Sequence, residues 1–467
     1  MSDPRPFTLA ELKQSGYEVR PVREELRRNL MRKLADGEDL FPGIVGYEDT
    51  VIPQVENAIL AGQDMILLGE RGQAKTRMIR ALTSLLDEWT PVLAGVEIPE
   101  NPLAPISPQG RALVAEHGDA TPIAWVHRDE RYGEKLATPD ITIADLIGEV
   151  DPIKIAEGRY LSDELVLSYG LIPRTNRGIF AVNELPDLSE RIQVGLLNVM
   201  QERDVQIRGH KVRLPLDVLI VATANPEDYT NRGRIITPLK DRYGAQIRTH
   251  YPHTIEQEVR VMGLEHARLD MGEYRTTVPD FIKEIVAEIT RLARNSPDVS
   301  QRSGVSVRVS VSNYETVLAN ALRRAIRTGE QDVVPRISDL PFIIPSMQGK
   351  VEFEAFEEGR EEQILGHFIE EAVKDVFARN VDLDSLEPVI GAFEAGAKVD
   401  VGESVPSAAY SEMQQSIDGL ADTVTRLVPE GNAAVRAAAC ELVLEGLHLH
   451  KLLNKDHVAG VVSYRSG

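Results

Sequence analysis

The run MILLG leads into GERGQAKT, residues Gly69 to Thr76, and then into the helix-prone TRMIRALTSLL. This is the G-x-x-x-x-G-K-[ST] phosphate-binding pattern with Ala74 at the place of its last glycine. In such a loop the backbone N–H groups, here those of Gly69, Glu70, Arg71, Gly72, Gln73 and Ala74, wrap the phosphates of ATP while a helix N-terminus faces their charge. Lys75 has the reach for the β- and γ-phosphates, and Thr76 has the hydroxyl for Mg²⁺. Alanine carries a methyl where glycine has hydrogen, so Ala74 is expected in ordinary helical angles, as in the first turn of a helix.

A second stretch, GIFAVNE, runs as an apolar strand into Asn183 and Glu184. A nucleotide-hydrolysing site needs an acid on the metal side and a neighbouring acid that polarises the attacking water. Asn183 takes the metal-side place without a charge, although its amide can still accept a hydrogen bond from a metal-bound water. Glu184 keeps the carboxylate on the catalytic side. Two outcomes stay open: a working but slow ATPase, or a module that binds nucleotide without turning it over. Restoring an acid, Asn183→Asp, is expected to tighten the Mg²⁺ dependence.

These residues need a scaffold. Between 43 and 252, β-rich runs (MILLG, IAWVH, GIFAV, VLIVATAN) alternate with helical stretches, the pattern of a parallel sheet covered by helices. Residues 90–122 interrupt it with Pro91, Pro99, Pro102, Pro105, Pro108 and Pro122 and read as an inserted surface loop. Residues 1–42 form a polar, helix-prone N-terminal segment. From 253 to 345 amphipathic helices form a second domain, with Ile282, Ile285, Val286, Ile289 and Leu292 on one face. A further helical region covers 346–467.

Several of these stretches, in order, resemble the AAA+ ATPases, and within them the helix-2-insert group that holds the MoxR ATPases and the magnesium chelatase ATPase subunit. The resemblance covers about 40–345 and rests on GERGQAKT, NRGIFAVNELPDLSERIQVGLLNVMQERDVQIRG, VLIVATANPEDY, ITPLKDRYGAQI and GVSVRVSV. It implies an α/β P-loop core followed by a helical lid, with MgATP as the bound nucleotide. Asn225 is similar to the residue that senses the γ-phosphate, Arg242 to the arginine finger that enters a neighbour's site, and Arg308 to the arginine of the lid. A finger acting in trans implies a homo-oligomeric ring, often a hexamer. The group's usual task, remodelling a partner protein that often carries a von Willebrand factor A domain, becomes the expected function. DVQIRGHKVRL, 204–214, resembles a pre-sensor hairpin that touches a client, and plain solvated charge explains its basic residues equally well. Residues 148–177 would hold the helix-2 insert. A chelatase ATPase subunit and a non-hydrolysing assembly module remain as alternatives.

Composition narrows the partners. The 467 residues carry 52 Lys and Arg against 73 Asp and Glu, a net charge of −21, which opposes nucleic acid as a partner. No apolar run approaches the ~20 residues that span a bilayer. The lone Cys440 lies in a helical stretch and suits a reducing, cytoplasmic setting. GAFEAG, 391–396, looks like a sigma-factor-contacting loop but lies far beyond Glu184, where that loop does not belong. His448 and His450, two apart on a helix, face different ways and make no metal pair.

Overall fold

Short runs in which every second side chain points the same way can be covered by helices on both faces. In the computed structural model, which describes residues 5–151, 166–202, 214–225, 234–267, 269–300, 303–354, 359–458 and 461–466, the chain divides into two units, Met1–His250 and Tyr251–Gly467.

In the first unit, α1 (Leu9–Gln14), α2 (Val22–Asp36) and α3 (Val51–Leu60) precede β1 (Met65–Leu68), and α4 (Lys75–Ala81) follows it. Then come β2 (Trp89–Leu93), α5 (Pro108–His117), β3 (Ile123–His127), β4 (Tyr132–Leu136), β5 (Gly148–Val150), β6 (Leu167–Tyr169), β7 (Gly178–Asn183), α6 (Glu190–Glu202), β8 (Val218–Ala224), α7 (Thr237–Arg242) and β9 (Ala245–Arg248). The central sheet has the order β4-β7-β8-β1-β9 with every pairing parallel. Met65, Leu67, Ile179, Ala181, Leu219, Val221 and Ile247 share a core with α2, α3 and α4. Their neighbours Ile66, Phe180, Val182, Ile220 and Ala222 pack with Ile192, Leu196 and Val199 of α6. Because the strands run the same way, the residues after β1, β7 and β8 gather at one end of the sheet, where ligands of open α/β sheets bind.

Two expectations change here. Residues 90–122 are not a surface loop: β2 and β3 pair antiparallel from Trp89↔His127 to Leu93↔Ile123, and α5 folds between them. The buried Glu100 accepts from the backbone N–H groups of Ile106 (2.5 Å) and Ser107 (2.9 Å), anchoring the start of α5. Pro91 fits because β2 pairs on one edge only. Residues 1–42, expected to stand before the domain, contribute Val22, Leu26 and Leu30 to its core. The first residues also reach the insertion, with the Arg5 guanidinium 3.8 Å from the Trp89 ring and Trp125 Nε1 donating to Pro6 O at 2.8 Å.

In the second unit, α8 (Ile255–Glu265), α9 (Asp280–Asn295), α10 (Arg308–Thr328), α11 (Arg360–Asn380) and α12 (Ala433–Leu449) surround one apolar cluster that runs from Met262 to Tyr464. The core is continuous across the 345/346 boundary drawn from sequence. The C-terminal region is also not purely helical. After the short pair β10 (Arg275–Thr276) and β11 (Asp332–Val333), strands β12 (Lys398–Val401), β13 (Leu453–Val458) and β14 (Val461–Ser466) form an antiparallel sheet of order β12-β14-β13. Phe393 of GAFEAG is fully buried in this unit's core. Among the described residues no helix is long and apolar enough to cross a membrane.

Candidate functional site

The loop between β1 and α4 departs from the sequence expectation at Ala74, whose φ of 54° and ψ of 13° are left-handed rather than helical. The reason lies in position: Ala74 caps α4 from outside, and Gly72 two residues earlier is also left-handed, at φ 77°. Left-handed residues in such a loop turn backbone N–H groups into a concavity that suits an anion. The alanine therefore takes the strained geometry that glycine would adopt freely. A Cβ on Gly69 would run into Thr249 Oγ1 and Gln73 Oε1, so glycine is required there.

Polar contacts brace the loop from below. Gln73 Oε1 accepts from Thr249 Oγ1 at 2.6 Å and from the Glu70 N–H at 3.1 Å. The buried Tyr47 hydroxyl, its pKa pushed up to about 12 by burial, meets Gln73 O at 3.0 Å and His250 O at 2.8 Å. Lys75 is buried, and its ammonium donates to Gly69 O, to Glu70 O at 2.7 Å and to Asn225 Oδ1 at 2.9 Å. Thr76, the second residue of α4, is half-buried, and Arg71 is exposed.

From the next strands come the other predicted residues. Asn183 ends β7 and is buried, with Nδ2 donating to Glu134 Oε1 at 2.5 Å and Oδ1 accepting from Thr223 Oγ1 at 3.3 Å. Glu184 turns left-handed at φ 56°, its N–H bound to Thr223 Oγ1 at 3.1 Å. Its Oε2 accepts from Asn225 Nδ2 at 3.0 Å. Asn225 thus joins Lys75 on one side to Glu184 on the other. The fold brings together the phosphate loop, Lys75, Thr76, Asn183, Glu184 and Asn225, and this donor set suits a phosphate chain with a hard cation beside it.

Two predicted residues stand on other elements. Arg242 ends α7, its guanidinium held by Gln201 Oε1 at 2.7 Å and Asp241 Oδ2 at 3.1 Å. Arg308 opens α10 in the second unit and is exposed. The hairpin expected at 204–214 lies outside the described residues apart from Leu214, as do 152–165 of the expected insert, whose described flanks pair as β5 and β6.

Sequence reading missed Glu134. This carboxylate on β4 accepts from Arg80 Nε (2.8 Å) and Nη2 (3.1 Å) of α4, from the Tyr132 hydroxyl (3.0 Å) and from Asn183. Burial works against its charge, but Arg80, Tyr132 and Asn183 together hold its carboxyl below the usual range. Tyr47 and Thr249 were missed as well. Each stands far in sequence from the residue it supports, and no local pattern marks it.

The chain is similar in sequence to known proteins. A family model described as the sigma-54 interaction domain matches residues 162–239. The chain is 28% identical over 231 residues to the magnesium-chelatase 38 kDa subunit of Cereibacter sphaeroides, covering 48% of this chain and 62% of that one. It is 26% identical over 332 residues to magnesium-chelatase subunit ChlI of Nephroselmis olivacea, covering 65% and 86%. It thus spans about three-fifths of the first of these relatives. A solved BchI–BchD complex of magnesium chelatase aligns at 20% identity over 70% of this chain and 98% of that one, with a TM-score of 0.36, too loose a superposition to carry weight. The chain is thus similar to AAA+ ATPases, and both of these relatives are magnesium-chelatase subunits.

Proposed function

We propose that this protein hydrolyses MgATP and uses the cycle to remodel or activate a partner protein. The observation that carries the reading is the link Lys75–Asn225–Glu184, which ties the phosphate loop to the carboxylate beyond β7 through one side chain at the end of β8. When bound, Mg²⁺ neutralises charge on the β- and γ-phosphates. Lys75 holds those phosphates, and the N–H groups of Gly69 to Ala74 wrap them. Thr76 would offer its hydroxyl to the metal, and Asn183 would turn its amide oxygen toward the metal side of the site. Glu184 draws a proton from the attacking water, and Asn225 positions that water and Glu184 together. Arg242 completes the pocket of a neighbouring subunit, where a guanidinium at the transferring group accelerates reaction by ~10³ to 10⁵. Arg308 couples the second unit to the nucleotide.

An arginine supplied in trans calls for a homo-oligomeric ring, with a hexamer as the expected count. A von Willebrand factor A domain protein is the expected partner, and the cytoplasm the expected setting. A second reading, the ATPase subunit of a chelatase, is favoured by the names of the relatives. Metal insertion into a porphyrin on addition of the companion subunits separates it from the first.

The test compares wild type with Glu184→Gln. The variant should retain a fluorescent ATP analogue and assemble beyond a monomer in its presence, while phosphate release falls by about 10²-fold or more. Equal phosphate release in the two proteins rejects Glu184 as the base. Absence of nucleotide uptake by wild type rejects the whole reading.

A further inference from the structure

We propose that Glu134 is a positioning residue that fixes the side-chain amide of Asn183, so that the metal side of this site requires an asparagine and is damaged by the aspartate that the sequence pattern would restore. The inference rests on the MgATP reading above. Register puts Glu134 opposite Ala181 on the neighbouring parallel strand, two residues before Asn183, and so on the same side of the sheet edge. Each carboxylate oxygen of Glu134 already accepts two hydrogen bonds. Oε1 takes one from Asn183 Nδ2 (2.5 Å) and one from Arg80 Nη2 (3.1 Å); Oε2 takes one from Arg80 Nε (2.8 Å) and one from Tyr132 (3.0 Å). A carboxylate that is acceptor-only demands a donor from residue 183, and asparagine supplies it.

The orientation has a consequence at the other end of the same amide. With Nδ2 committed to Glu134, Oδ1 accepts from the Thr223 hydroxyl, which itself accepts from the Glu184 N–H. An aspartate at 183 would set two carboxylates at hydrogen-bond distance, and one would have to swing away. A glutamine at 134 would remove the demand for a donor. Asn183 could then turn over and present an NH₂ where a cation or its water needs an acceptor. Arg80 strengthens the case, because it sits one helical turn after Thr76 on α4 and ties Glu134 to the helix that carries the metal-facing hydroxyl.

The experiment titrates Mg²⁺ against binding of a fluorescent ATP analogue to the full chain, in wild type, Glu134→Gln, Asn183→Asp and the double variant, with urea unfolding of each. Either single change should raise the Mg²⁺ needed for half-maximal binding by about 10-fold, the scale on which the partners of metal ligands act. The double variant should return to within about 3-fold of wild type, because the amide introduced at 134 can donate to the carboxylate introduced at 183. Binding measured in EDTA should be alike in all four, which a merely structural role would not produce. A lowered Mg²⁺ requirement in Asn183→Asp alone, or a double variant no better than the product of the singles, overturns the proposal and leaves the MgATP reading standing. A wild-type chain that takes up no analogue at any Mg²⁺ concentration overturns both.

Discussion

Asn225 Nδ2 lies 3.0 Å from Glu184 Oε2, so a residue just past β8 fixes the carboxylate just past β7. Glu184 sits in a left-handed turn, and the amide of Asn225 sets where its carboxylate ends. The opposite end of that amide accepts from Lys75 at 2.9 Å, so removing it loosens base and lysine together. Asn225→Ala should lower phosphate release by about 10²-fold, the cost of losing one oriented donor in a catalytic site. ATP-analogue affinity should change by less than about 3-fold, since the loop N–H groups remain. Single-turnover phosphate release beside equilibrium binding checks the split, and equal losses in both would show that Asn225 serves binding alone.

Ala74 holds left-handed angles that cost an L-residue roughly 1–2 kcal/mol, and glycine adopts them freely. Part of the gain from Ala74→Gly is lost to the greater freedom of glycine in the unfolded chain. The net expectation is a first unit more stable by about 0.5–1 kcal/mol, read as a higher urea midpoint at unchanged slope. A lower midpoint would mean that the alanine methyl makes packing contacts worth more than the strain.

The parts of the site that are readable from sequence are those whose chemistry is written in consecutive residues. GERGQAKT and GIFAVNE each state strand, turn and reactive group in one short run, and VLIVATAN places Asn225 at a strand end in the same way. Glu134 is different: it reaches Asn183 only because β4 pairs with β7 in one register across 49 residues, and RYGEKL by itself says nothing about that. The prolines of 90–122 read as loop because proline breaks ladders, yet Pro91 lies in a strand with one free edge. At Ala74 residue type pointed to the wrong angles, because the position is a cap outside the helix rather than its first turn. In the C-terminal region β12 has only four residues, and the periodicity of the longer helices dominates any window that contains it.

Arg131 and Glu25 form a two-pronged pair, with Nη1 to Oε1 and Nη2 to Oε2 both at 2.7 Å, and the side chains are 2% and 5% exposed. Arg131 also donates to Thr90 Oγ1 at 2.6 Å and to Arg177 O at 2.8 Å, which ties α2, β2 and the entrance to β7 together. Removing one partner leaves a buried charge uncompensated. Arg131→Met should therefore destabilise the first unit by about 3–5 kcal/mol, while replacing both, Arg131→Met with Glu25→Leu, should recover much of that loss. Chemical denaturation followed by tryptophan fluorescence suits the test, because Trp89 opens β2 next to Thr90 and Trp125 lies on its partner strand β3. A double variant as unstable as the single would place the stabilisation elsewhere than in the ion pair.

In the second unit, Glu330 provides a pH handle. Burial raises the cost of its charge. The Ser407 N–H (2.6 Å), the Thr328 hydroxyl (3.0 Å) and the guanidinium of Arg336 (3.6 Å) outweigh that cost and hold its carboxyl below the ordinary value of 4.5. A group whose pKa is lowered by folding releases its proton more readily in the native than in the unfolded state. Its contribution is complete above the unfolded value and declines as pH falls through the native one. Wild type should thus exceed Glu330→Gln in stability by a constant margin from neutral pH down to about pH 5, and the margin should shrink as the pH falls below about 4.5. Urea unfolding at a series of pH values measures it. A margin that stayed level, or widened, in acid would mean that Glu330 does not hold its charge more tightly in the fold than in the free chain.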